Sequence, residues 1–306
     1  MLLAGCGDGD RAEVEDLTVF HASGLTPVLE AARRDCRREL GLNLRTEASG
    51  SQVVCHKLSG LGRKADLVML ADAKLVSELL GGVCSWRLDF ANDEVVLAVG
   101  KLAPRIAEAE RDWPRVLLDA GTRIARVDEN QGPIGYRTLL AWKLQERIGP
   151  AGLHDALEKK CVKVVDHVSR LTPLLKTGEI DYAFAYRSIC IAHDMRYIRL
   201  DERVNLGSPD ADYSGAEVSL AKPGSSAAFS VKGAPITWTL SIPDRAAGAA
   251  NAARFVRWLL EKHGTLLKRN GFRPLARPRF YGPAGAAGPF ADFITTAGAL
   301  QPGESR

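Results

Sequence analysis

Four short turns carry most of the polar chemistry in this 306-residue chain. Ala22-Ser23-Gly24, Gly50-Ser51, Pro133-Ile134-Gly135 and Val168-Ser169 each lead into a helical pattern. A helix N-terminus presents unpaired backbone N–H groups and the positive end of the helix dipole, which together suit an anion. A serine hydroxyl adds a donor without adding charge. Taken singly, each turn reads as ordinary capping, because Gly and Ser cap helices generally. They gain meaning where they converge, as turns at the carboxyl ends of strands do in an open α/β sheet.

Catalytic and metal chemistry is not signalled. The chain has no H-E-x-x-H, no G-x-x-x-x-G-K-[ST], no G-x-G-x-x-G after a strand and no G-x-S-x-G elbow. Histidines 21, 56, 154, 167, 193 and 263 lack metal-ligand spacing, and His21, in the first strand-to-helix turn, reads as structural. Cysteines 6, 36, 55, 84, 161 and 190 form no C-x-x-C pair and fit no zinc or cluster pattern. No nucleophile and base can be paired, so the expectation is a binding protein without catalytic residues or cofactor. Lys plus Arg number 41 against 37 Asp plus Glu, a net charge of +4. That is too mild and dispersed for nucleic acid, and compatible with a small anion.

The elements that would hold these turns alternate between strand and helix. Leu17–Phe20 reads as a strand ending at His21-Ala22-Ser23-Gly24, followed by a helix with Thr26 as N-cap and Pro27 as its first residue. Leu42–Thr46 runs into Ser49-Gly50-Ser51 and a second helix, and Ala65–Leu70 is a buried strand before a helix through Leu75, Leu79 and Leu80. Glu94–Val99, Thr122–Val127, Val162–Val165, Tyr182–Tyr186 and Pro235–Ile242 read as further strands. Helices are expected from Tyr136 to about Ile148, from Thr172-Pro173 to near Gly178, and over 246–263. This grammar predicts a mainly parallel α/β sheet architecture.

At the start of the chain, Leu3-Ala4-Gly5-Cys6 reads as a bacterial lipobox, with Cys6 as the lipid-bearing residue and the polar stretch after it as a tether. Only two residues precede the box, whereas a signal peptide has a basic region and an apolar stretch of about 7–15 residues. No apolar run approaches the length of about 18 residues that a membrane-spanning helix needs.

Collinear stretches then carry a resemblance. Val19-Phe20-His21-Ala22, Ala48-Ser49-Gly50-Ser51, Ala65-Asp66-Leu67-Val68, Gly135-Tyr136-Arg137-Thr138, Gly178–Phe184 and Tyr186-Arg187-Ser188 are similar to the extracytoplasmic molybdate/tungstate-binding proteins of ABC importers, in particular the archaeal-type branch. The similarity runs from about Leu17 to Pro274. It implies the two-lobed periplasmic-binding-protein fold of type II, α/β, with mixed, mainly parallel sheets flanked by helices and joined by hinge strands. The corresponding division is a signal remnant and tether at 1–14, lobe 1 at 15–92 plus 244–280, lobe 2 at 93–243, and a C-terminal extension at 281–306.

Carried over position by position, the resemblance implies that Ser23, Gly24, Ser51, the Ile134 and Val168 amides and the Tyr186 hydroxyl bind an oxyanion, whose metal atom would be the only metal present. It further implies a monomer that delivers molybdate or tungstate to an ABC permease from the periplasmic or extracytoplasmic side. Sulfate, phosphate or a small organic acid in the same fold, or a ligand-sensing role, are the alternatives. Two departures bear on the pocket. The archaeal-type branch has Asp where this chain has Gly132 and Glu where it has Ala185, both bonded to the metal. Without them the expected guest is tetrahedral and held by hydrogen bonds alone. The first turn reads Ser23-Gly24 where the family usually reads Gly-Ser. Arg137 and Arg187 are expected to pair within the protein, because neutral dipoles suit such a guest better than guanidinium.

Overall fold

The computed structural model describes residues 14–300 except 225. Strand β1 (Glu15–Ala22) ends in four buried residues and leads through a 3-10 turn, Ser23–Leu25, into helix α1 (Thr26–Leu40). Helix α1 buries Val28, Leu29, Ala32 and Cys36, a single stripe at helical spacing. It stops at Gly41, whose φ of 68° is the left-handed conformation that closes a helix C-terminus. Strand β2 (Leu42–Ser49) returns parallel to β1, and after helix α2 (Ser51–Ser59) the wholly buried β3 (Leu67–Leu70) pairs on the other side of β1. Helix α3 (Lys74–Leu79) and strand β4 (Arg87–Asn92) complete the first pass through this lobe.

The second lobe repeats the pattern. It contains β5 (Val95–Val99), α4 (Ile106–Leu118), β6 (Ile124–Val127), α5 (Pro133–Ile148), α6 (Leu153–Lys160) and β7 (Cys161–Val165). A 3-10 turn at Val168–Arg170 then precedes α7 (Leu171–Thr177), β8 (Tyr182–Tyr186), α8 (Arg187–Ala192) and β9 (Tyr197–Arg199). A hairpin of β10 (Glu217–Ala221) and β11 (Ala228–Lys232) packs on α5. The chain goes back to the first lobe with β12 (Thr237–Ser241), α9 (Ala249–Arg269), β13 (Arg273–Tyr281), α10 (Ala284–Ala287) and β14 (Thr295–Gly298).

The result is a seven-stranded sheet of order β14-β13-β4-β12-β3-β1-β2 and a five-stranded sheet of order β7-β6-β8-β5-β9. Two chain crossings join them, Asp93-Glu94 outward and the segment before Ile236 on the return. They are stitched together, with the Val95 amide donating to Asn205 O at 2.8 Å and the Ile236 amide to Leu206 O at 2.8 Å. At the same place the buried Glu94 meets Arg273 at 2.7 Å, Arg199 at 3.1 Å and Arg187 at 3.5 Å. Asn205 Nδ2 donates to the same carboxylate at 3.2 Å.

Several expectations change. Thr237–Ser241, assigned from sequence to lobe 2 within 93–243, is an inner strand of the first lobe, antiparallel to both β3 and β4. Its strand character is local, but its sheet is chosen by burial of Trp238 and Leu240 against the first lobe's core. The division at 281 also moves, because residues up to 298 add strand β14 beside β13. Phe280 and Phe290 anchor that region on Trp86, with ring centroids 5.3 and 5.6 Å apart. Prolines 274 and 278 fit β13 because its register with β4 shifts between Pro274 and Arg279, where ladder hydrogen bonds are not needed. Parallel pairs do not dominate: β12 and β13 run antiparallel to β4, and β5 runs antiparallel to β8 and β9. Thr26 is the first residue of α1 rather than its cap, which is Leu25.

Candidate functional site

All six of the expected ligand residues, Ser23, Gly24, Ser51, Ile134, Val168 and Tyr186, line one small cavity between the lobes. The centre of a water-sized sphere can move through about 20 Å³ of it, room for a single small guest. Ala22, Ser49, Gly50, Ala71 and Trp238 complete the first lobe's share, and Gly132, Pro133 and His167 the second lobe's. No Asp, Glu, Lys or Arg is among these lining residues.

Local sequence explains the donors. In α2 the first intrahelical backbone bond is Val54 N to Gly50 O, so the amides of Ser51, Gln52 and Val53 have no partner within the helix. Pro133 opens α5 without an N–H, and the next amide, that of Ile134, has no carbonyl one turn back to take it. The two 3-10 turns leave the amides of Ser23 and Val168 free of turn bonds in the same way, since the turns close on Thr26 and on Leu171. Four backbone segments therefore bring positive ends to one cavity.

Side-chain hydroxyls are polarised to donate. Ser51 Oγ accepts from the Ala71 amide at 3.1 Å, which leaves its own proton to give away. Ser49 Oγ accepts from Lys57 Nζ at 2.6 Å. The Tyr186 hydroxyl accepts from Arg137 Nη1 at 2.8 Å, and burial pushes its phenol well above the usual value, so the proton stays on. Sequence reasoning named Tyr186 and Ser51 but passed over Ser49, although it lies two residues before Ser51.

Arg137 pairs inside the protein, as expected. Buried on α5 of the second lobe, it donates to Ala71 O at 2.6 Å and sits 3.0 Å from Asp72 Oδ2, both in the first lobe. Tyr136 donates to that same Asp72 oxygen. Arg187 is occupied at the hinge with Glu94 and with Gly271 O at 3.0 Å. Their charges are thus placed behind the donors rather than in the cavity.

Close approach of the lobes depends on Gly50. A Cβ there would lie 2.0 Å from Gln131 O, across the interface. Gln52 Nε2 adds a cross-lobe bond to Glu129 O at 2.7 Å, and Ser169 Oγ one to Ser23 O at 3.4 Å. The reversed order in the first turn also has a cause. A Cβ at Gly24 would lie 2.7 Å from Cη2 of Trp238, so the turn's second position must be glycine where that ring packs.

Of the two positions that carry carboxylates in the archaeal-type pattern, Gly132 lines the cavity and Ala185 does not. His21 also stays out of it. It is buried, its Nδ1 lies 2.9 Å from Ala22 O, and burial lowers its imidazole pKa toward the neutral form. Cys36, Cys55, Cys84, Cys161 and Cys190 are free thiols, and Cys6 lies outside the described residues. Trp238 and His167, which sequence reasoning did not select, are the additional nitrogen-bearing residues of the lining.

Two α/β lobes on a hydrogen-bonded hinge, with donors from both around a small cavity, form the two-lobed fold of the periplasmic binding proteins. The chain belongs to the bacterial extracellular solute-binding proteins, whose family model it matches over residues 17–273. It is 29% identical to an uncharacterized solute-binding protein of Petrotoga mobilis over 88% of each chain. Against the molybdate/tungstate-binding protein WtpA of Thermococcus kodakarensis the identity is 27%, covering 81% of this chain and 78% of that one. The periplasmic molybdate-binding protein of Azotobacter vinelandii has the same fold, with a TM-score of 0.60 at 19% identity, over 84% of this chain and 98% of the other.

Proposed function

We propose that this protein captures a tetrahedral oxyanion, molybdate or tungstate, between its lobes and presents it to an ABC permease. The observation that carries the reading is the convergence of amides and hydroxyls from separate turns of both lobes on one cavity lined by no charged side chain. A doubly charged, four-oxygen guest satisfies many donors at once, and it does so without a counter-charge to desolvate.

Capture follows from the geometry. Donors at Ser23, Gly24 and Ser51 belong to one lobe and those at Ile134, Val168 and Tyr186 to the other, so a guest contacts the full set only when the lobes are together. Binding then shifts the population toward the closed arrangement, which the Arg137–Ala71 and Gln52–Glu129 bonds also favour. The permease would read that arrangement. The anion is cargo rather than a resident cofactor, and no catalytic step is part of this reading. An extracytoplasmic monomer tethered by lipid on Cys6 is the corresponding cellular form. Among the described residues no helix is long and apolar enough to cross a membrane.

Isothermal titration with molybdate, tungstate and sulfate is the test. Saturable one-to-one binding of the first two supports the reading, and the absence of heat with all three defeats it.

A further inference from the structure

The β10–β11 hairpin belongs to the second lobe at its base and touches the first lobe farther out. Val218, Leu220, Phe229 and Val231, alternate residues of its two strands, are buried, and β10 packs against α5. Lys143 of α5 adds a bond from Nζ to Glu217 O at 2.7 Å. Along the same strand the Ala221 amide donates to Asn130 Oδ1 at 2.8 Å. Asn130 stands in the loop that continues through Gln131, whose carbonyl faces Gly50, to Gly132 on the cavity wall. From that base the hairpin crosses to the first lobe at two separate places. Lys74 Nζ, at the start of α3, donates to Ser230 O at 2.8 Å. Gly224, in the turn between the strands, lies against the imidazole of His56 on α2, so that a Cβ there would be 2.8 Å from its Cε1. Its φ of 74° is left-handed, and glycine suits the position on both counts.

We propose that this hairpin is a latch: an arm of the second lobe that engages α2 and α3 of the first when the lobes meet, and so slows the release of a bound guest. It rests on the closing of the lobes around a guest proposed above, with the anion serving only as its probe. Neither His56, Lys74 nor any residue of the hairpin is among those lining the cavity. The latch therefore acts on the rate of opening and leaves the choice of anion to the cavity. Helices α2 and α5 both start at the cavity, with Ser51 and with Pro133-Ile134, and the hairpin joins these two helices away from it. Lobes that part break the Lys74–Ser230 bond and withdraw Gly224 from His56. Contacts present only with the lobes together stabilise that arrangement with or without a guest, and they are lost before the guest leaves. Each is small and close to water, so the latch delays opening without locking it.

The test uses the full chain loaded with radiolabelled molybdate, whose release is followed after a chase with excess unlabelled molybdate. Lys74→Met keeps most of the side chain and removes the ammonium, and His56→Ala removes the ring beneath Gly224. Each variant should release molybdate about threefold faster than the parent and the double variant about tenfold faster, with association rate and anion-free melting temperature close to the parent's. Lys74→Arg, which keeps a donor, should release at the parent's rate. A double variant that releases at the parent's rate overturns the latch, as does one whose affinity falls through slower association alone. If His56→Ala does not fold, the two Lys74 variants decide: a parent-like rate in Lys74→Met overturns the latch. Should the parent bind no molybdate, the oxyanion reading falls, and small-angle scattering without anion still judges the latch. A double variant more extended than the parent then supports it, and identical profiles overturn it.

Discussion

The hinge and the cavity lie close together in the chain and treat charge in opposite ways. At the hinge, Asp93 and Glu94 are both buried, and Glu94 is ringed by Arg187, Arg199 and Arg273. In the cavity no charged side chain lines the wall, and the Arg137 guanidinium is held back by Ala71 O, Asp72 and the Tyr186 hydroxyl. Buried ion pairs cost desolvation and return geometry, which is what a pivot needs. A neutral wall of fixed dipoles leaves the guest as the dominant charge in its surroundings, so binding strength depends on how well the donors are aimed.

That contrast can be broken first at the lobe interface. Gly50→Ala puts a methyl group 2.0 Å from the carbonyl of Gln131, and backbone cannot yield as a flexible side chain would. Each lobe should fold as before, but the closed arrangement should be lost. Calorimetry should detect no oxyanion binding, and small-angle scattering should show a particle that does not contract when anion is added. Contraction and parent-like affinity in the variant would show that this contact does not govern closure.

At the hinge, Glu94→Ala removes the common partner of three arginines and of Asn205. Breaking a fully buried ion pair costs about 3–5 kcal/mol, but the three arginines are 28–58% exposed and can turn to water, so urea unfolding should register a loss at the low end, about 3 kcal/mol. The cavity donors are untouched, so binding at low denaturant should fall much less than stability does. A variant that loses affinity while keeping its stability would reverse the division of labour between the two regions.

Asp93 sharpens the comparison through pH. Burial raises its carboxyl pKa to about 6 from 3.8, against the opposing hydrogen bonds from Ser188 and the Glu94 amide. The folded state therefore holds this proton more tightly than the unfolded chain does. The resulting stabilisation is fully present below about pH 4 and is lost as pH rises through about 6. The difference amounts to roughly 3 kcal/mol. Asp93→Asn keeps an oxygen for the two amides and cannot ionise. The stability gap between variant and parent should move in the variant's favour by that amount from pH 4 to pH 7, measured by urea midpoints. A gap that stays constant with pH would mean that Asp93 titrates normally.

How much of this could be read from sequence depended on how local the cause was. The donor turns were legible because Ser, Gly and Pro at helix starts act within three or four residues, as at Gly50-Ser51 and Pro133-Ile134. The hinge was not, since Glu94 finds Arg187, Arg199 and Arg273 across sequence distances that no periodicity encodes. Trp238 sat in a segment correctly read as a strand, but the pattern could not say which sheet would take it or that its ring would cover Gly24. The β10–β11 hairpin had a legible alternation of exposed and buried residues that went unread. The segment from 281 read as an extension rather than as part of the first lobe, because its place beside β13 depends on aromatic anchors rather than on backbone propensity.

The smallest expected effect belongs to Ser51, where stability and binding meet in one atom. Its hydroxyl accepts from the Ala71 amide and has its proton left for the cavity. Ser51→Ala therefore orphans a buried amide and removes a donor from the guest. The binding loss should be about 1–3 kcal/mol, read as a weaker Kd for tungstate. Melting without anion should also fall slightly, because the Ala71 amide loses its partner whether or not a guest is bound. Ser51→Thr keeps the hydroxyl and should restore the affinity if the added methyl is accommodated. An alanine variant that melts lower but binds as the parent does would confine Ser51 to holding Ala71 in place. A variant that binds weakly at unchanged melting would mean that its hydroxyl serves the guest alone.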